Sequence, residues 1–118
     1  VVCTDLGGAV PQMAANLARE GLQQSQLHAC ELAWGADSSE ELDRVCVHGA
    51  PTYVFCADLI HDKSLHASLL TTLTAFARRG ASTVMTYQRR DGEKEASFLS
   101  LCRSEPFRLS VAQHEDYA

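Results

Sequence analysis

Two carboxylates, one histidine and one indole stand at the ends of apolar or β-branched runs, where a strand hands over to a loop. Asp5 follows VVCT at the start of the chain and precedes Gly7 and Gly8. An acid at a strand end before such a turn accepts hydrogen bonds from sugar hydroxyls in nucleotide-binding sheets, or it caps the helix that follows. Trp34, the only tryptophan, closes the apolar stretch from Leu27 to Ala33. A flat ring there covers a purine base, with ~0.5–1.5 kcal/mol from stacking beyond burial. The alternative is a core tryptophan under the next loop. Asp58 follows TYVFCA and is followed by Leu59, Ile60 and His61. A carboxylate in that setting is costly unless solvated, paired or put to use, and Asp62 is the better placed cap for the next helix. His61 carries the side chain type that exchanges protons most readily near neutral pH; otherwise it simply faces solvent. Gly7 and Gly8 lack the G-x-G-x-x-G spacing of a phosphate loop and read as a tight turn.

The five cysteines, Cys3, Cys30, Cys46, Cys56 and Cys102, are odd in number and widely spaced, with no C-x-x-C. They are expected to be reduced thiols of an intracellular, cytoplasmic protein rather than a disulfide framework. Cys46, His48, Cys56 and His61 match no familiar zinc-ligand spacing, so no metal is expected.

The elements that must hold these residues follow from periodicity. Val1–Thr4 reads as a strand. Val10, Met13, Ala14, Leu17 and Ala18 repeat at helical spacing, with Pro11 in the first turn and Gly21 past the end. Leu27–Ala33 reads as a strand, and residues 35–51 as a long acidic connection in which Ser38 and Glu41 suit one capped helical turn. Thr52–Ala57 reads as a strand covered on both faces. After Asp62 comes the clearest helix, with a stripe of Leu65, Leu69, Leu73 and Phe76, Arg78 and Arg79 in its last turn, and Gly80 beyond. Ser82–Tyr87 is expected to be a strand, Glu93–Arg103 a helix and Phe107–Ala112 a final strand. This alternation argues for an α/β layer structure with a mostly parallel sheet. Its crossovers would bring Asp5, Trp34, Asp58 and Tyr87 to the rim of strand C-termini where such sheets bind ligands.

Composition sets the outer limits. The 118 residues suit one domain (1–118), and 46% hydrophobic with 21% charged residues excludes a disordered or fibrous chain. A net charge of −5, with 15 acids against 10 bases, gives no basic footprint for nucleic acid. No apolar run approaches the ~18 residues of a membrane span.

Taken in order, Thr4-Asp5-Leu6, Asn16, Leu32-Ala33-Trp34-Gly35, Cys56-Ala57-Asp58-Leu59-Ile60-His61 and Phe98-Leu99 form a series. It resembles the seven-β-strand S-adenosylmethionine-dependent methyltransferases, in the branch that includes protein-lysine methyltransferases, over essentially the whole chain. The resemblance implies an incomplete Rossmann-like sheet with helices on both faces. It implies S-adenosylmethionine as cofactor, with Asp5 on the ribose, Trp34 on the adenine side and Ala57 lining the pocket through its backbone. It also implies a protein substrate presenting a lysine, met by Asp58 and His61 where the family carries D-x-x-Y. Here the tyrosine is His61 and the preceding glycine is Cys56. The family's first strand and Gly-rich loop lie before the T-D-L strand, so the chain is expected to be a C-terminal portion lacking them. The absent strand would lie between Val1–Thr4 and Thr52–Ala57, and the chain alone is expected to bind the cofactor poorly.

A lysine amine titrates near ~10.4, so a proton must leave before methyl transfer. Asp58 would orient the ammonium and His61 would take a proton directly or through water. Asp58→Asn is expected to cost the intact protein more activity than His61→Ala. Two other classes remain open: a non-catalytic module derived from a methyltransferase, and a phosphoacceptor receiver domain with Asp58 phosphorylated and Thr86 as its switch hydroxyl.

Overall fold

A computed structural model describes residues 1–21, 26–35 and 39–104; the expected strand at Phe107–Ala112 lies outside these. The chain alternates β1 (Val2–Asp5), α1 (Val10–Arg19), β2 (His28–Glu31), α2 (Ser39–Val45), β3 (Tyr53–Ala57), α3 (His66–Arg78), β4 (Ser82–Thr86) and α4 (Gly92–Ser104). One turn of 3₁₀ helix, Lys63–Leu65, leads into α3. Asp62 caps that turn, its Oδ1 accepting from Ser64 N at 2.9 Å and Ser64 Oγ at 2.7 Å. These bonds hold its carboxyl below the usual carboxylate range. Gly80 ends α3 at φ +93°, a conformation that costs a side-chain-bearing residue but not glycine.

The strands form two parallel pairs. β1 lies beside β2 with Val2 opposite His28, and β3 beside β4 with Tyr53 opposite Ser82. No ladder joins the pairs, so the described residues form two two-stranded sheets rather than one. The fold is α/β and Rossmann-like but incomplete. The break between β1 and β3 falls where the resemblance puts the absent strand.

Both sheets nonetheless serve a common interior. Cys56, Ile60, Leu69, Leu70, Leu73, Phe98 and Cys102 form one buried cluster; Leu32, Leu42, Val45, Phe76 and Ala81 form the other. Helix α3 contributes to both, and Val54 packs against each. Each of these larger side chains contributes roughly 1.5–3 kcal/mol on burial. The halves are also tied by Gly35 N donating to Thr72 Oγ1 at 3.0 Å and by Arg79 Nη2 on Asp43 Oδ1 at 2.7 Å.

Three expectations need correction. The connection between residues 35 and 51 is interrupted by α2, two turns long, whose Leu42 and Val45 are buried. Two apolar residues three apart suffice once a neighbouring sheet is there to receive them. The buried stripe of α3 does not include Leu65, which is 39% exposed in the 3₁₀ turn, and does include His66, Leu70 and Thr72. The tighter 3₁₀ turn shifts the helical phase, so Leu65 falls off the inward face. Strand β3 is not covered on both faces: Val54 and Cys56 point inward, while Tyr53 and Phe55 are 57% and 77% exposed. An apolar run announces that both faces can be buried; it does not supply the second layer.

Candidate active site

Strand β3 ends at Ala57, and the next residue turns sharply. Asp58 has φ +54°, the only non-glycine with positive φ among the described residues. Aspartate tolerates this conformation better than most side chains, and such outliers concentrate at functional sites. Its backbone is pinned on one side, with Asp58 N donating to Thr86 O at the end of β4 (2.8 Å). Its carboxylate reaches outward, Oδ2 accepting from Arg90 Nη2 at 2.9 Å. The side chains of this pair are 47% and 64% exposed.

His61 is exposed in the same turn. Its Nδ1 lies 3.3 Å from the Asp58 carbonyl oxygen, not beside the carboxylate. A carbonyl only accepts, so Nδ1 is the donor in this contact and Nε2 takes no part in it. His61 therefore braces the loop through Nδ1.

The loop after β4 is organised by a buried acid. Glu95, on α4, is 6% exposed. Its Oε1 accepts from Arg90 N at 2.9 Å and its Oε2 from Arg89 Nε at 3.4 Å. Arg90 Nε donates to Gln88 Oε1 at 3.1 Å, so the arginine is held at three points. Asp91 caps α4 by accepting from the amides of Glu93 and Lys94, bonds that hold its carboxyl below the usual range. Asp58, His61, Gln88, Arg90, Lys94 and Glu95 line a cleft of about 100 Å³.

Of the other residues singled out from sequence, Asp5 ends β1 and is exposed. Its Oδ1 accepts from Leu6 N at 2.7 Å and its carbonyl from Leu32 N at 2.9 Å. It does not cap α1, whose N-cap position is Ala9 with no side-chain bond. Trp34 is half-buried against the edge of the Cys56–Leu69 cluster. Beside it Gly35 sits at φ +86°, where a Cβ would come 3.1 Å from Ser68, so the strand exit lies directly on α3. Ala57 is exposed at the end of β3. Asp58 and His61 thus share a cleft. Asp5 and Ala57 stand at strand C-termini and Trp34 three residues past the end of β2, and none of them lines that cleft or the wider one, about 210 Å³, between α1 and β2.

Sequence reasoning missed Arg90 and Glu95. The signal was the Arg89-Arg90 pair in the loop after β4, with Glu95 five residues beyond Arg90. Among the described residues no three His, Cys, Asp or Glu side chains gather as a metal site, so the Cys46, His48, Cys56 and His61 set is not assembled. Nor is any described helix long and apolar enough to cross a membrane.

No curated protein matches the sequence. A family model described as lysine methyltransferase matches residues 1–105, nearly the whole chain and every element described above. The parallel α/β architecture, the acid turned out at the end of β3 and this match agree, and the chain belongs to the lysine methyltransferase family.

Proposed function

We propose that the chain forms the rim of an S-adenosylmethionine-dependent protein-lysine N-methyltransferase and that Asp58 meets the substrate amine. One observation carries this reading. The Asp58 carboxylate is turned out of the sheet by a left-handed backbone and is already paired with a cationic N–H donor. A lysine ammonium is the same kind of partner. The carboxylate orients the nitrogen, and the Nε2 of His61, two residues along the loop from Leu59, receives the proton that must leave. Orientation of this kind acts mainly by positioning.

S-adenosylmethionine, when bound, supplies an electrophilic methyl group on sulfur. The residues on hand fit its adenosine half. Asp5 has one carboxylate oxygen fixed by Leu6 N and the other without a partner among the described bonds, as a ribose hydroxyl requires. Trp34 presents a half-buried ring three residues past the end of β2, and Ala57 is exposed at the end of β3. Neither of the two clefts described above is lined by these three, and the 118 residues alone are expected to hold the cofactor weakly. The substrate is a protein carrying an accessible lysine, in the cytoplasm.

Titration of the ¹⁵N-labelled chain with millimolar S-adenosylmethionine tests this. Amide shifts are expected around Asp5, Trp34 and Ala57, without saturation in the micromolar range. No shift at these positions at millimolar cofactor would remove the assignment, and micromolar binding would overturn the weak-binding corollary.

A non-catalytic module is the second reading, favoured by the open outer face of β3 and β4, where Tyr53, Phe55 and Val84 are exposed. It predicts no cofactor-dependent shifts at all. Membership in the lysine methyltransferase family leaves the receiver-domain reading without support.

A further inference from the structure

We propose that Arg90 occupies the seat of the substrate ammonium on Asp58 and competes with it, so that lysine entry requires the guanidinium to swing away. This rests on Asp58 being the amine-facing carboxylate. Arg90 and a lysine side chain offer the same chemistry, a cationic N–H donor on a flexible stem, and the Asp58 carboxylate accommodates one such group at 2.9 Å.

The contact is built to be released. It uses one nitrogen on one oxygen, not the forked pairing of which arginine is capable and which makes its strongest ion pairs. The two side chains are 47% (Asp58) and 64% (Arg90) exposed, a setting in which ion pairs are weak. Meanwhile the backbone beneath Arg90 is fixed by the buried Glu95, whose Oε1 accepts from Arg90 N. The guanidinium can therefore leave by side-chain rotation, breaking its bonds to Asp58 and Gln88 while the loop keeps its anchor. Lys94, the other cation of the cleft, is engaged instead with Asp91 at 3.6 Å. Arg90 alone among the cleft cations contacts the Asp58 carboxylate in the described residues.

The test uses the full chain, ¹⁵N-labelled, titrated with Nα-acetyl-lysine methylamide and, as control, its norleucine counterpart without the ammonium. The amides of Asp58 and His61 report occupancy. Arg90→Gln is expected to bind the lysine probe roughly two- to fivefold more tightly than the parent, the scale of one exposed ion pair. Arg90→Lys, which keeps a competing cation, should stay near the parent, and so should Arg78→Gln, which removes the same charge from an exposed position on α3. The norleucine probe should shift nothing. Arg90→Gln binding no more tightly than the parent, or no better than Arg78→Gln, would overturn the competition while leaving Asp58 in place. Asp58→Asn binding the lysine probe as well as the parent would instead remove Asp58 from the amine site, and the competition with it.

Discussion

The two sheets meet their helices in opposite ways. On β1 and β2 both faces have company. The face carrying Val2 and Cys30 joins the cluster of Leu42, Val45 and Phe76, while the face carrying Ala29 looks toward α1. That second cover is loose: α1 buries none of its residues, and a groove of about 210 Å³ separates it from β2. On β3 and β4 one face is closed tightly by α3 and α4, and on the other Tyr53, Phe55 and Val84 are exposed, with no described element over them. Yet α1 and α3 are comparable in sequence, each with apolar residues at helical spacing. An amphipathic pattern fixes which face of a helix seeks cover, and the tertiary neighbours set how much cover it finds.

The sharpest test of this contrast is a matched pair of truncations. Leu69→Ala, at a position 2% exposed in α3, should cost about 2–5 kcal/mol of unfolding free energy. Leu17→Ala, at a half-buried position in α1, should cost less than about 1 kcal/mol. Urea denaturation of both variants decides, and equal losses would erase the distinction between tight and loose layers.

The thiols give a second measure. Burial pushes Cys56 from 9.0 up to about 11. At pH 8 its thiolate fraction is then about 100-fold below that of an ordinary thiol, so alkylation should reach the partly exposed Cys3 and Cys30 well before it. The sign for stability follows. The folded state keeps the Cys56 proton where the unfolded chain releases it, so this contribution is intact below pH 9 and lost as pH rises from 9 toward 11. Denaturation midpoints that stay flat across that window would place Cys56 outside the dry interior.

The smallest effect concerns the tie between the halves. Thr72→Val keeps the volume but leaves Gly35 N–H without its acceptor, at an expected cost of about 1 kcal/mol. Hydrogen exchange should rise at Gly35 and little in α4; a uniform rise would mean the halves do not open separately.

Much of this was readable from residue order. Apolar periodicity with Pro11, Asp62 and Gly80 as punctuation located α1, α3 and the four described strands to within a few residues. Asp58 stood out because a carboxylate beyond six apolar residues lacks a structural task. Helix α2 was underestimated because only Leu42 and Val45 mark its inward face. The proton-accepting role expected of His61 stays a proposal; what the structure adds is that its Nδ1 meets a backbone carbonyl three positions away. Arg90 escaped notice because its partner lies 32 positions earlier and the loop that presents it is shaped by Glu95.

Residue order settled the alternation of strands and helices and the family, because each rests on short-range patterns, the elements on ones that the backbone repeats every two or 3.6 residues. Packing in three dimensions settled the separation into two parallel pairs, the bare face of β3, and the arginine seated on Asp58. Those depend on which remote segments meet, and a local pattern encodes a surface's need for a partner without naming the group that answers it.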